Sequence, residues 1–230
     1  MLGFLPKAKL LNDLVLFLEP LQSAHKSPTS RDLAKAIREK QLFLAFQPQV
    51  DLQSAPHPGQ VIGVEALVRW QDPERGVIYP DCFIPLAEQS GLLIPLTWYV
   101  IDLALQQQAQ WLSQGWNLNL SINITAAFIQ EEGMLEVFDQ ITQQHQAVLS
   151  RITLELTETV GVECLGYASY VLKALRERGC KLALDDFGTG HSSLTQLYRL
   201  PFSELKLDRS FVSRIDQDKD ALAITISIIE

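Results

Sequence analysis

A mostly parallel α/β fold closing into a TIM-like (β/α) barrel is what the sequence predicts, and two observations carry that prediction. From residue 41 onward, strand-like and helix-like segments alternate with short connections, the pattern of repeated βα units. Each strand candidate has one aliphatic face and one face bearing a carboxylate, amide or cation near its C-terminal end. Helices can cover the aliphatic faces, whereas single polar groups need a common interior in which to find partners. An open doubly wound sheet is the competing fold. It needs both strand faces apolar under helices, which the polar faces contradict.

Composition fits that frame. A chain of 230 residues suits one large domain or two small ones, with enough length for a sizeable core. Hydrophobic content of 47% with 20% charged residues describes an ordinary globular protein. A net charge of −8 argues against a general DNA or RNA binder, whose affinity comes from neutralising phosphates. Cys82, Cys164 and Cys180 are far apart with no Cys-x-x-Cys, which points to buried thiols and a cytoplasmic location. His25, His57, His145 and His191 are equally scattered, so no zinc site or Ser/His/Asp triad is expected. The stretch from Leu10 to Leu18 is too short and too charged for a transmembrane segment.

Taken in order, residues 8–20 place Leu11, Leu14, Val15 and Leu18 on one helical face, either a packed N-terminal helix or a coupling or dimerisation helix. Thr29 and Asp32 have capping-box spacing and open a helix through Leu33, Ala36 and Ile37. Strands are predicted over Leu42–Val50, Val61–Trp70, Leu118–Ile124, Ile152–Thr157, Lys181–Asp185 and Glu204–Asp208. Helices are predicted over Leu96–Leu112, Leu135–Ile141 and Tyr167–Arg178, the first and last stopped by Gly115 and Gly179. No helix fits the polar segment 51–60, so the first two strands are expected to be antiparallel neighbours.

Strand parity then assembles a site. Ile62, Val64, Ala66 and Val68 share one face of the second strand, leaving Glu65, Leu67 and Arg69 on the other. By the same alternation Asn123, Glu155, Asp185, Lys206 and Asp208 fall opposite the aliphatic faces of their strands, with Gln47 on the first. At the C-terminal ends of barrel strands such residues line an active site. Four or five carboxylates plus an amide make an oxygen-rich cage suited to one or two magnesium or manganese ions. Two such metals can activate water for in-line displacement at phosphorus, with Lys206 holding the water or offsetting developing charge. Arg69 could bind non-reacting phosphate oxygens in its planar fork. The plainer alternatives are a buried ion-pair network and an Asp185–Asp186 pair that only caps the next turn.

Glu65-Ala-Leu-Val-Arg69-Trp70 resembles the signature of the EAL family of cyclic-di-GMP phosphodiesterases. Phe46-Gln-Pro48, Phe83-Ile-Pro-Leu-Ala-Glu88, Ser121-Ile-Asn-Ile-Thr125, Glu155-Leu-Thr-Glu158, Asp185-Asp-Phe-Gly-Thr-Gly190 and Leu205-Lys-Leu-Asp-Arg-Ser-Phe211 follow it in the family's order and spacing. The resemblance implies a barrel with an antiparallel first strand, acting as a hydrolase in bacterial second-messenger signal transduction. It implies magnesium- or manganese-dependent hydrolysis of cyclic-di-GMP to linear pGpG. Glu65, Asn123, Glu155 and Asp185 would ligate one metal, Asp186 would serve a second, and Lys206 would orient water. Gln47, Leu67 and Arg69 would touch substrate, and Asp208 would lie near the ligand or hold neighbouring cations. Glu158 would anchor the loop Phe187–Ser193, which in this family also contributes to homodimer contacts; by its spacing it could equally be a helix-entry cap. His191 stands where the family often has Tyr.

Residues 1–28 are therefore expected to form an N-terminal helix and linker, and 29–230 the phosphodiesterase domain. The family also implies two further strands, bearing a metal-site Glu and a substrate-contacting Gln, after the position of Glu230. The barrel is accordingly expected to be incomplete at its C-terminus. A non-catalytic cyclic-di-GMP receptor or protein-interaction module is the alternative function.

Overall fold

In the computed structural model, residues 27–53, 59–157, 166–188, 200–219, 222–223 and 225–226 are described. The N-terminal helix expected over 8–20, Glu158 and His191 lie outside them. Helix α1 (Ser30–Arg38) starts where the capping box places it. The Thr29 hydroxyl accepts the Asp32 N–H at 3.3 Å, and the Asp32 carboxylate accepts the Thr29 N–H at 3.0 Å. Strands β1 (Leu42–Asp51) and β2 (Gln60–Asp72) are antiparallel, with Gln47 opposite Glu65. From there the sheet is parallel. β4 (Asn119–Ile124) pairs with β2, and β5 (Ile152–Thr157), β6 (Lys181–Phe187) and β7 (Glu204–Leu207) follow in sequence order.

Several short elements escaped the sequence reading, two of them in succession. The short strand β3 (Gly76–Ile78) folds back on the end of β2, and helix α2 (Pro80–Gln89) follows at once. Three residues are too few to show a period of two, and Pro85 inside the helix reads as a breaker although it forgoes only one ladder bond. Pro80 in the first turn is well placed, since the N–H it lacks would have had no helical partner.

Helix α3 (Leu93–Ser113) starts three residues earlier than the periodicity predicts, after Gly91 at φ +70°. It is followed by α4 (Ala126–Ile129), α5 (Met134–Gln144), α6 (Tyr167–Glu177) and α7 (Arg209–Val212). Gly179 at φ +102° follows the C-cap of α6, where a side chain would be strained.

The aliphatic strand faces are buried as parity predicts: Val64 and Ala66 on β2, Leu120, Ile122 and Ile124 on β4, Ile152, Leu154 and Leu156 on β5, and Leu182 and Leu184 on β6. Ile62 departs from that reading, being 41% exposed near the start of β2.

The sheet also curls. In strand order β2 and β7 are four spacings apart, about 19 Å if the sheet were flat. Yet Lys206 of β7 meets Glu65 of β2 at 3.1 Å. Two side chains cannot bridge the flat distance, so the polar face is concave, the barrel arrangement that parity called for.

The β2–β3 turn is braced by Asp72, only 5% exposed. Its carboxylate accepts the N–H groups of Glu74 and Arg75 at 2.9 and 2.7 Å and the Arg75 guanidinium at 2.8 Å. Burial opposes ionisation of Asp72, but these donors outweigh it and hold the carboxyl below its ordinary value. A lowered folded value contributes stability above the unfolded value near 4, and that stability is lost as pH falls through the folded value. Asp72→Asn should therefore cost about 1–3 kcal/mol at neutral pH. Urea melts across pH 3–7 should show a weaker acid dependence in the variant than in the wild type.

Candidate active site

Register brings the interior side chains together. Glu65 lies beside Ser121, Asn123 beside Glu155, and Glu155 beside Ala183, each on the next parallel strand. Glu155 is 1% exposed, while Glu65 and Asp185 are half-buried at the rim. Into this group β7 delivers Lys206. Its Nζ donates to Glu155 Oε2 at 2.7 Å, Asp185 Oδ2 at 3.0 Å and Glu65 Oε2 at 3.1 Å. Asn123 Nδ2 donates to the other Glu65 oxygen at 2.9 Å.

The Asp185–Asp186 pair needs more than a strand. Regular alternation would turn successive carboxylates to opposite faces. Here the β6–β7 register shifts between Leu184 and Phe187, and Asp186 takes a left-handed conformation at φ +55°. Its carboxyl is pushed above the ordinary range by burial, then by the negative charges of Asp185 and Asp208 and, more weakly, Glu65.

Electrostatics follow from this crowding. Burial raises the Glu155 carboxyl, the Lys206 hydrogen bond opposes that, and the Glu65 charge adds to it. Burial alone would depress Lys206, but hydrogen bonds to Glu155 and Asp185 and the charge of Glu65 more than reverse this, so its ammonium is held above the ordinary lysine value. Glu65, Glu155 and Asp185 each present a carboxylate oxygen, all within 4.8 Å of one another. An all-oxygen donor set of this kind fits a hard divalent cation. Lys206 contacts the same three acids, so the ion-pair network and the metal-ligand set coincide in one cluster.

The other expected site residues are more dispersed. Gln47 is exposed on β1 opposite Glu65, and Leu67 is half-buried one turn of the pleat above it. Arg69 lies further along β2, its guanidinium 5.2 Å from the ring centroid of Tyr79 and donating to the Val68 carbonyl at 2.8 Å. The Asp208 carboxylate caps α7, accepting the Ser210 N–H at 2.9 Å, and hydrogen bonds from Ser210 hold it below the ordinary range.

Three participants were not singled out from sequence. Tyr79 under Arg69 belongs to the β3–α2 junction that periodicity missed. Ser121, 2% exposed, accepts from Gln49 Nε2 at 3.1 Å. Strand parity already put Ser121 on the face of Asn123, which was the available signal.

Among known sequence families, the EAL domain matches residues 30–230. The bifunctional diguanylate cyclase/cyclic di-GMP phosphodiesterase MucR of Pseudomonas aeruginosa is 38% identical over 212 residues, covering 92% of this chain and 30% of that protein. The cyclic di-GMP phosphodiesterase PdeR of Escherichia coli is 37% identical over 199 residues, covering 86% of this chain and 29% of that protein. The chain thus spans about a third of these relatives' length. A solved structure of the Pseudomonas MucR phosphodiesterase in complex with c-di-GMP superposes with a TM-score of 0.78 at 36% identity, covering 86% of this chain and 79% of that one.

Proposed function

This chain belongs to the EAL domain family, and from that premise we propose that it hydrolyses cyclic-di-GMP to linear pGpG. The observation that carries the reading is the cluster of Glu65, Glu155 and Asp185 around Lys206 at the concave mouth of the sheet. Glu65, Asn123, Glu155 and Asp185 would hold one magnesium or manganese ion, and Asp186 a second. Such ions, when bound, acidify water and neutralise charge on phosphate oxygens.

The chain's own residues supply the rest. Water adds to one phosphorus of the ring, the P–O3′ bond breaks, and the 3′ oxygen leaves with a proton as a hydroxyl, opening the cycle to a 5′-phosphorylated dinucleotide. Lys206, fixed by three acids, orients the water and offsets negative charge as it develops on phosphate. Arg69, already stacked on Tyr79, offers its remaining donors to a non-reacting phosphate. Gln47 and Leu67 line the approach, and Asp208 keeps a negative charge near Asp186. Glu158 lies outside the described residues and is proposed as the loop anchor on the resemblance alone. Residues 29–230 would form this phosphodiesterase unit and 1–28 a separate helix and linker. No helix among the described residues is long and apolar enough to cross a membrane.

Chromatographic separation of cyclic-di-GMP from pGpG, with magnesium present, tests the reading. Turnover is expected from the wild type and not from Asp185→Ala. Binding of the nucleotide without any turnover by the wild type would make the chain a receptor instead.

A further inference from the structure

We infer that Phe211 is a positioning residue for the Asp185–Asp186 pair, acting through the backbone of Gly188 and not by touching substrate. The inference rests on the proposed metal site in one respect, that the two carboxylates serve there as ligands.

The pair occupies an unusual stretch of chain. Asp186 is left-handed at φ +55°, and Gly188, two residues on, has φ +106°. A left-handed non-glycine residue is strained and persists only where its surroundings hold it. The start of α7 packs on Gly188, two residues along. A Cβ built on Gly188 would lie 2.5 Å from Cε2 and 2.8 Å from Cζ of Phe211, and its third nearest atom also belongs to that ring. The ring therefore lies against the bare backbone of Gly188, a closeness that any side chain there would prevent.

The backbone completes the clamp. The Asp208 N–H donates to the Phe187 carbonyl at 3.3 Å, and the Phe211 N–H donates to the Asp208 carbonyl at 3.1 Å. Asp208 caps the same turn through Ser210. The β7–α7 junction thus sits as one body on residues 187–188. Without the ring, the space behind Gly188 opens and the irregularity at Asp186 loses its backing. Relaxation toward ordinary strand alternation would then turn one of the two carboxylates away from the mouth.

The test uses the whole chain and two readouts, Mn2+ binding by calorimetry and amide hydrogen exchange. Phe211→Ala is expected to bind Mn2+ about tenfold more weakly and to exchange the amides of residues 186–188 about tenfold faster. Amides of β4 and β5 should be unchanged, and Phe211→Leu, which keeps apolar volume without the flat ring, should fall between. In turnover assays kcat should fall while KM stays within about twofold. Native Mn2+ affinity and native exchange in Phe211→Ala would overturn the inference, as would faster exchange spread evenly over all strands. If the wild type binds no Mn2+, the metal reading fails, and the exchange of residues 186–188 still decides the role of Phe211.

Discussion

Replacing Glu155 by glutamine is expected to lower cyclic-di-GMP turnover by about 10³-fold, equivalent to about 4 kcal/mol in the barrier, while the chain still folds. Glu155 is 1% exposed, so the isosteric amide keeps the packing. What it removes is the negative charge of one of the three carboxylates whose oxygens gather within 4.8 Å. The effect on stability should be small because two terms oppose. Burial raises the Glu155 carboxyl, so its ionised form costs the fold stability as pH rises through that raised value, and glutamine removes the cost. Against that, Lys206 loses its 2.7 Å partner but keeps Asp185 and Glu65. Urea melts at neutral pH should agree with the wild type within about 1–2 kcal/mol. Turnover within threefold of the wild type would remove Glu155 from the reacting site.

Replacing Lys206 by methionine should have a different signature, large in both stability and turnover. The ammonium is the one cation contacting Glu65, Glu155 and Asp185 among the described residues. Deleting a partner from a buried pair costs about 3–5 kcal/mol, and the 29% exposure of the Lys206 side chain reduces that to about 2–3 kcal/mol. A divalent cation bound by the same acids would restore most of the loss, about 2.7 kcal/mol at a hundredfold excess over Kd. Thermal unfolding with EDTA and then with excess Mn2+ should therefore show a larger cation-dependent rise in Tm for Lys206→Met than for the wild type. Turnover should stay down by about 10²–10³-fold even with the cation, because nothing then orients the water. An equal rise in Tm for both proteins would separate the lysine from the cation site.

Much of this arrangement is written locally. The period-two pattern of Leu120, Ile122 and Ile124 against Asn119, Ser121 and Asn123 needs no tertiary knowledge, and neither does the Thr29–Asp32 capping box. Both depend on neighbours a few residues away, and the structure reproduces both. The polar segment between β1 and β2 likewise signalled an antiparallel pair, which the register confirms. Short elements were lost because three or ten residues with an internal proline give too little periodicity, as in β3 and α2. Ile62 was misplaced because parity names a face but not how far along the strand the helices cover it.

Which strand residues share the polar face, and that these include acids, an amide and a lysine, is legible in alternation alone, because side-chain direction in a strand follows from position. The contact between Lys206 and Glu65, 141 positions apart, comes instead from the curl of the sheet across four strand spacings. Tertiary structure also set the turn at Asp186, where the β6–β7 register shifts and the backbone becomes left-handed, an irregularity that strand alternation does not announce. Local chemistry chose the donors, and the closure of the sheet made them a site.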